Sequence, residues 1–140
     1  MVAFGQKRKN KAVQGICIQL YWKAGNFMPS PDVSKPQKSN KGTAVQREVY
    51  VYALTNSKDA ESIEGQFYSN IKTKLIAKAK TDKKGKAWIK LPVGYYSVFV
   101  KEEKGLYANS FDDAMNINAV EVKAKKWTNS EMIINYMAVY

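Results

Sequence analysis

The 140 residues are 45% hydrophobic and 12% aromatic, which fits one folded domain with its own core and excludes a disordered chain. Lys and Arg outnumber Asp and Glu 23 to 12, a net charge of +11 that favours acidic partners. Histidine is absent, which removes Ser-His-Asp and Cys-His catalysis and the common zinc sites.

Residues 1–12 read as a disordered basic tail carrying Lys7-Arg8-Lys9-Asn10-Lys11, with residues 13–140 as a single domain. Ala3 and Gly5 have the small-residue spacing that ends a secretory signal, so an exported protein, periplasmic or secreted, is expected. From Val13 onward apolar and polar residues alternate over short runs broken by turn residues, the signature of strands. The first strand is expected over 13–22, with Ile16, Ile18 and Leu20 on one face and Cys17 as a small buried hydrophobe.

A polar, proline-containing loop follows over 23–43, then a strand over 48–54. Residues 56–70 are ambiguous between a helical turn near Asp59 and a strand starting at Phe67 and Tyr68. Further strands are expected over 71–80, 87–91, 95–101, 118–123 and 131–139. Asp82-Lys83-Lys84-Gly85 and Pro92-Val93-Gly94 read as hairpin turns between them. About seven or eight short strands without a long amphipathic helix predict an all-β sandwich, with a barrel as the alternative. No apolar run reaches the roughly 18 to 20 residues of a membrane-crossing helix.

The run from Thr81 to Val98 combines a T-D-x-x-G turn, an alternating strand, and the P-x-G-x-Y turn Pro92-Val93-Gly94-Tyr95-Tyr96 before another strand. This pattern resembles carboxypeptidase regulatory-like domains. The resemblance implies a transthyretin-like (prealbumin-like) sandwich whose members serve accessory, adhesive or scaffold roles without shared catalytic residues. Gly25-Asn26-Phe27-Met28-Pro29 followed by Arg47-Glu48-Val49-Tyr50-Val51-Tyr52 is similar to Bacteroidetes envelope proteins that carry this domain.

Three features are candidate interaction sites. Lys72, Lys74, Lys78 and Lys80 would share one face of the strand over 71–80, as an anion-binding ridge or as lysines guarding an exposed edge. Tyr50 and Tyr52 would share a face of their strand, able to stack on a ligand or to pair across the sheet. Asn26, Phe27 and Met28 would be displayed by the long loop. Asp112, Asp113, Asn116 and Asn118 offer oxygen ligands, but their spacing lacks the features of a calcium loop and reads as a connector.

These readings predict a non-catalytic binding or scaffold module of the bacterial envelope with a protein or glycan partner and no cofactor. The first alternative is a charge-driven binder of nucleic acid or another acidic polymer. The second is a carboxylate-based enzyme. Because Arg8 and Arg47 are the only arginines, sequence-specific reading of nucleic acid is not expected.

Overall fold

Alternation decides which way each strand faces. Ile16, Ile18 and Leu20 are buried while Cys17, Gln19 and Tyr21 between them are half-exposed, so strand β1 (Gly15–Asn26) turns one apolar row inward. The computed structural model describes residues 14–26 and 42–139, within which eleven strands form two sheets.

The four-stranded sheet is built around β1. Strand β11 (Trp127–Val139) runs parallel to it on one side, from Gly15 opposite Trp127 to Asn26 opposite Val139, with a register shift between Trp22 and Ala24. On the other side β1 pairs antiparallel with β2 (Thr43–Ala44) and β7 (Lys86–Lys90). The seven-stranded sheet runs β4 (Glu61–Ile63), β5 (Phe67–Ser69), β9 (Gly105–Tyr107), β8 (Gly94–Glu102), β3 (Glu48–Ala53) and β6 (Leu75–Lys80). Its seventh member, β10 (Ala119–Val122), pairs with the first half of β8.

The inner faces meet in a core that includes Ile16, Ile18, Leu20, Val49, Val51, Val98, Val100 and Ile134, each at most 1% exposed. Burying each of these contributes about 1.5 to 3 kcal/mol, the main force holding the layers together. One end of the sandwich is filled by Trp22, Phe67, Tyr107 and Tyr136, whose rings meet at centroid distances from 4.9 to 5.6 Å. The all-β sandwich expected from the sequence is the architecture of the protein.

Several local expectations need correction. The turns Asp82–Gly85 and Pro92–Gly94 are not hairpins: β6 and β8 lie in one sheet and β7 in the other, so each turn is an arch that crosses the sandwich. Ala77 and Ala79 of β6 and Ala87 and Ile89 of β7 thereby face the same core from opposite sides. The chemistry assigned to the first turn still holds it: Asp82 Oδ1 accepts from the Lys84 and Lys86 amides, and Gly85 sits at φ +79°. In the second, the Tyr96 hydroxyl donates to the Pro92 carbonyl at 2.6 Å.

Strand β1 extends four residues beyond the expected end at Trp22, because β11 supplies backbone partners as far as Asn26. Residues 56–70 form a 3-10 turn (Ser57–Asp59) capped by Asn56, then β4 and β5. Cys17 is half-buried on the outer face of the four-stranded sheet, not part of the core, and burial raises its thiol pKa more than nearby Lys86 lowers it.

Candidate binding groove on the seven-stranded sheet

The inward set of Val49 and Val51 forces Tyr50 and Tyr52 onto the outer face of β3. On β8 the same alternation sends Phe99 and Lys101 outward. Register places Tyr50 between Phe99 on β8 and Lys78 on β6. This outer face carries an apolar cluster of its own, separate from the core: Tyr68, Phe99, Ala108 and Ile117 are buried there, with Tyr50, Tyr52, Ile71 and Leu106 packed around them.

Phe99 is fully buried beneath these rings and is met edge-on by Tyr52 at 5.5 Å and by Tyr68 at 5.7 Å. Above it opens a groove of about 440 Å³ walled by Tyr50, Tyr52, Tyr68, Ile71 and Leu106, with Lys101, Glu103 and Lys104 along the side. Burial, and for Tyr52 also the proximity of Tyr50, raises the pKa of the Tyr52 and Tyr68 hydroxyls, so both stay protonated donors at neutral pH.

The charges at the rim are mixed. Lys78 Nζ lies 4.9 Å from the centroid of the Tyr50 ring, a cation–π contact. Lys101 approaches Glu48 at 3.9 Å, and Lys104 pairs with Glu64 at 3.0 Å, both pairs exposed. Such exposed pairs add little stability and leave the lysines available to a ligand.

The four lysines of the expected ridge are all exposed, but they do not lie on one strand. Strand β6 begins at Leu75, so only Lys78 and Lys80 project from it together, flanked by Ile76. Lys72 and Lys74 belong to a bent segment before the strand. There the Lys72 amide donates to the Asp59 carbonyl, the Ala53 amide to the Lys74 carbonyl, and the Thr73 and Thr55 hydroxyls meet at 2.7 Å. A register shift between Val51 and Tyr52 marks where regular pairing stops.

Tyr50 and Tyr52 are brought together as expected, and they line the groove instead of standing fully exposed. Asn26 is the last residue of β1 and not a loop residue, while Phe27 and Met28 lie outside the described residues. Tyr68, Ile71 and Leu106 were not singled out by the sequence. The Tyr68 position was visible only as an uncertain strand start, and Leu106 sits on β9, three residues long.

Asp112, Asn118 and Glu102 are occupied structurally. Asp112 accepts from the Ala114 and Asn116 amides and from the Asn116 side chain, and these bonds, the Asn116 side chain first, lower its pKa. Asn118 donates to the Val98 carbonyl and accepts from Ser110. Glu102 turns toward the interior, where Arg47 and Tyr136 bind its two oxygens.

No family model matches the chain, and no curated protein or solved structure matches it either.

Proposed function

We propose that the chain is a non-catalytic binding or scaffold module of a bacterial cell envelope, and that it takes a protein or glycan partner on the outer face of its seven-stranded sheet. The observation that carries this reading is the groove walled by Tyr50, Tyr52 and Tyr68, two of which are braced edge-on by buried Phe99. Tyrosine offers a large apolar face, a polar tip and little conformational entropy to lose, the combination that suits a recognition surface. The chain has no histidine, and the Glu102 carboxylate, at 4% side-chain exposure, is held by Arg47 and Tyr136. The resemblance of 81–98 to carboxypeptidase regulatory-like domains, and of the β3 region to envelope proteins of Bacteroidetes, supports an accessory role and export.

The test is affinity capture from envelope extract at low and moderate salt, comparing the wild type with a Tyr50→Ala/Tyr52→Ala variant. A discrete partner kept at moderate salt by the wild type and lost by the variant supports the groove. Equal retention by the variant removes it.

The second reading, a charge-driven binder of acidic polymers or nucleic acid, rests on the net charge of +11 and on exposed Lys78, Lys80, Lys83, Lys84 and Lys86. Its mark in the same experiment is recovery of mixed anionic polymers that dissociate as salt rises, since that binding depends on counterion release.

A further inference from the structure

The outer face of the four-stranded sheet, on the opposite side of the molecule from the groove, carries a different arrangement. Strand β7 alternates buried Ala87 and Ile89 with exposed Lys86, Trp88 and Lys90. Trp88 is 61% exposed, more than any other large hydrophobic side chain among the described residues. A half-buried apolar side chain is ordinary, but an indole left this open between two lysines is not explained by packing into the core.

Register builds the surface around it. Lys90 lies opposite Gly15 and, across β1, Trp127; Trp88 lies opposite Cys17 and Asn129; Lys86 lies opposite Gln19 and Glu131. The central row is small where the aromatics need it to be. Gly15 has no side chain, and a Cβ there would fall 1.9 Å from the Ile89 carbonyl oxygen. Over this low point Trp88 and Trp127 reach each other, edge to face, with centroids 5.2 Å apart. The contact fixes the exposed indole in place, and its exposure leaves ring surface open to solvent.

Next to the indoles the face mixes Cys17 and Tyr21 with polar side chains. A depression of about 330 Å³ beside the indoles is lined by Gln19, Lys86, Asn129 and Glu131, among others. Neither Lys86 nor Lys90 makes an ion pair among the described residues, and neither indole N–H has a partner there.

We infer that this face is a second binding site, independent of the tyrosine groove, for an acidic polysaccharide. The axial C–H groups of a pyranose ring are weakly electropositive and pack on the negative face of an indole. Trp88 is the stacking platform, and Trp127 braces it. Lys86 and Lys90 flank the platform along the strand at about 7 Å on either side, placed for carboxylates carried by the sugar. Asn129 and the unused oxygen of Gln19, whose amide nitrogen donates to the Lys84 carbonyl, face the hydroxyls. A DNA strand would use the indole and the lysines, but it brings no row of hydroxyls to the Asn129 and Gln19 amides.

The experiment titrates the purified chain with oligogalacturonate, with a neutral glucan oligomer of equal length and with oligo-dT, reading tryptophan fluorescence and calorimetry. Oligogalacturonate is expected to shift the emission and to bind at least tenfold more tightly than the neutral glucan. Trp88→Ala, at an exposed position, is expected to weaken it about tenfold or more. Lys86→Gln/Lys90→Gln is expected to weaken it and reduce its salt dependence, and this variant guards against a folding defect in the first. Tyr50→Ala/Tyr52→Ala should bind as the wild type does, which separates this site from the groove. No binding of oligogalacturonate, unchanged affinity in Trp88→Ala, or tighter binding of oligo-dT overturns the inference.

Discussion

The Tyr136 hydroxyl donates a 2.6 Å hydrogen bond to Glu102 Oε1, joining β11 at the end of one sheet to β8 inside the other. Arg47 Nε holds the second carboxylate oxygen at 2.8 Å, and its guanidinium lies 5.6 Å from the centroid of the Trp22 ring. The Glu102 side chain is 4% exposed and the Arg47 side chain 33%, so the carboxylate is the desolvated member of the pair. Its burial is compensated only while both partners are present.

Tyr136→Phe should therefore cost about 2 kcal/mol in urea unfolding, the loss of one bond to a charged acceptor. Glu102→Gln should cost about 2 to 3 kcal/mol, since the unpaired guanidinium keeps some solvent. The double variant should fall short of the sum by about 1 kcal/mol or more, and strict additivity would show that the two residues act separately. Burial first, then the bond to Glu102 and its charge, raise the Tyr136 pKa well above the ordinary tyrosine value, with Arg47 opposing. A folded-state pKa above the unfolded one gives stability that is complete below about pH 10 and is lost as pH rises beyond it. Wild-type stability should fall above pH 10, and Tyr136→Phe should flatten that fall.

At the acid end the sign reverses. Asp82 has its pKa lowered chiefly by the Lys86 amide, then by the Lys84 amide and the charges of both lysines, and Asp112 chiefly by the Asn116 side chain and amide. A depressed folded-state pKa gives stability that is present above about pH 4 and lost as pH falls below it. Carbon-detected titration should place both carboxyls below the usual aspartate range. An Asp82→Asn/Asp112→Asn variant should be less stable at neutral pH and lose less than the wild type between pH 4 and 2. Ordinary pKa values for both would contradict the turn geometry.

The alternation of Ile16, Ile18 and Leu20, and of Val49 and Val51, was legible in the sequence because one buried face fixes a period of two. The turn chemistry of Asp82 and Gly85 was legible for the same local reason. Which sheet each strand joins was not, since β6 and β7 carry the same alternation whether they pair with each other or face each other across the core. The strand expected over 71–80 starts only at Leu75, where Ile71 packs against the outer cluster and Thr73 meets Thr55, long-range contacts that no local pattern announces. Tyr50 and Tyr52 could be placed on one face from sequence. Their groove could not, because Tyr68 and Leu106 reach it from the short strands β5 and β9. Trp88 fell inside the strand expected over 87–91, but its exposure follows from which sheet that strand joins, which the local pattern does not set.

Gly85 separates two costs that usually come together. At φ +79° any L residue is strained, and a Cβ would also lie 2.5 Å from the Leu20 carbonyl oxygen and 2.8 Å from Gln19 Nε2. Gly65 has nearly the same backbone, φ +78°, with nothing within 4 Å of its Cβ position. Gly65→Ala should cost about 1 kcal/mol from the backbone alone. Gly85→Ala should cost more, about 3 kcal/mol, because the fixed Leu20 carbonyl cannot move without disturbing β1. Equal losses in thermal unfolding would mean that the arch shifts freely away from β1.

Thr81 gives the sharpest test of that arch. Its hydroxyl accepts from the Arg47 amide at 2.8 Å and donates to the Val45 carbonyl at 3.0 Å, while the residue is 1% exposed. One side chain thus satisfies two backbone groups on the segment leading into β3. Thr81→Val keeps the shape and removes both bonds, leaving a donor and an acceptor unsatisfied next to the core, and should cost about 2 to 3 kcal/mol. Thr81→Ser keeps both bonds and loses one methyl, so about 1 kcal/mol is expected. Hydrogen exchange distinguishes the two variants locally: the Arg47 amide should lose protection in Thr81→Val and keep it in Thr81→Ser. If both variants lose equal stability and the Arg47 amide stays protected in each, the methyl group and not the hydroxyl is what secures the arch.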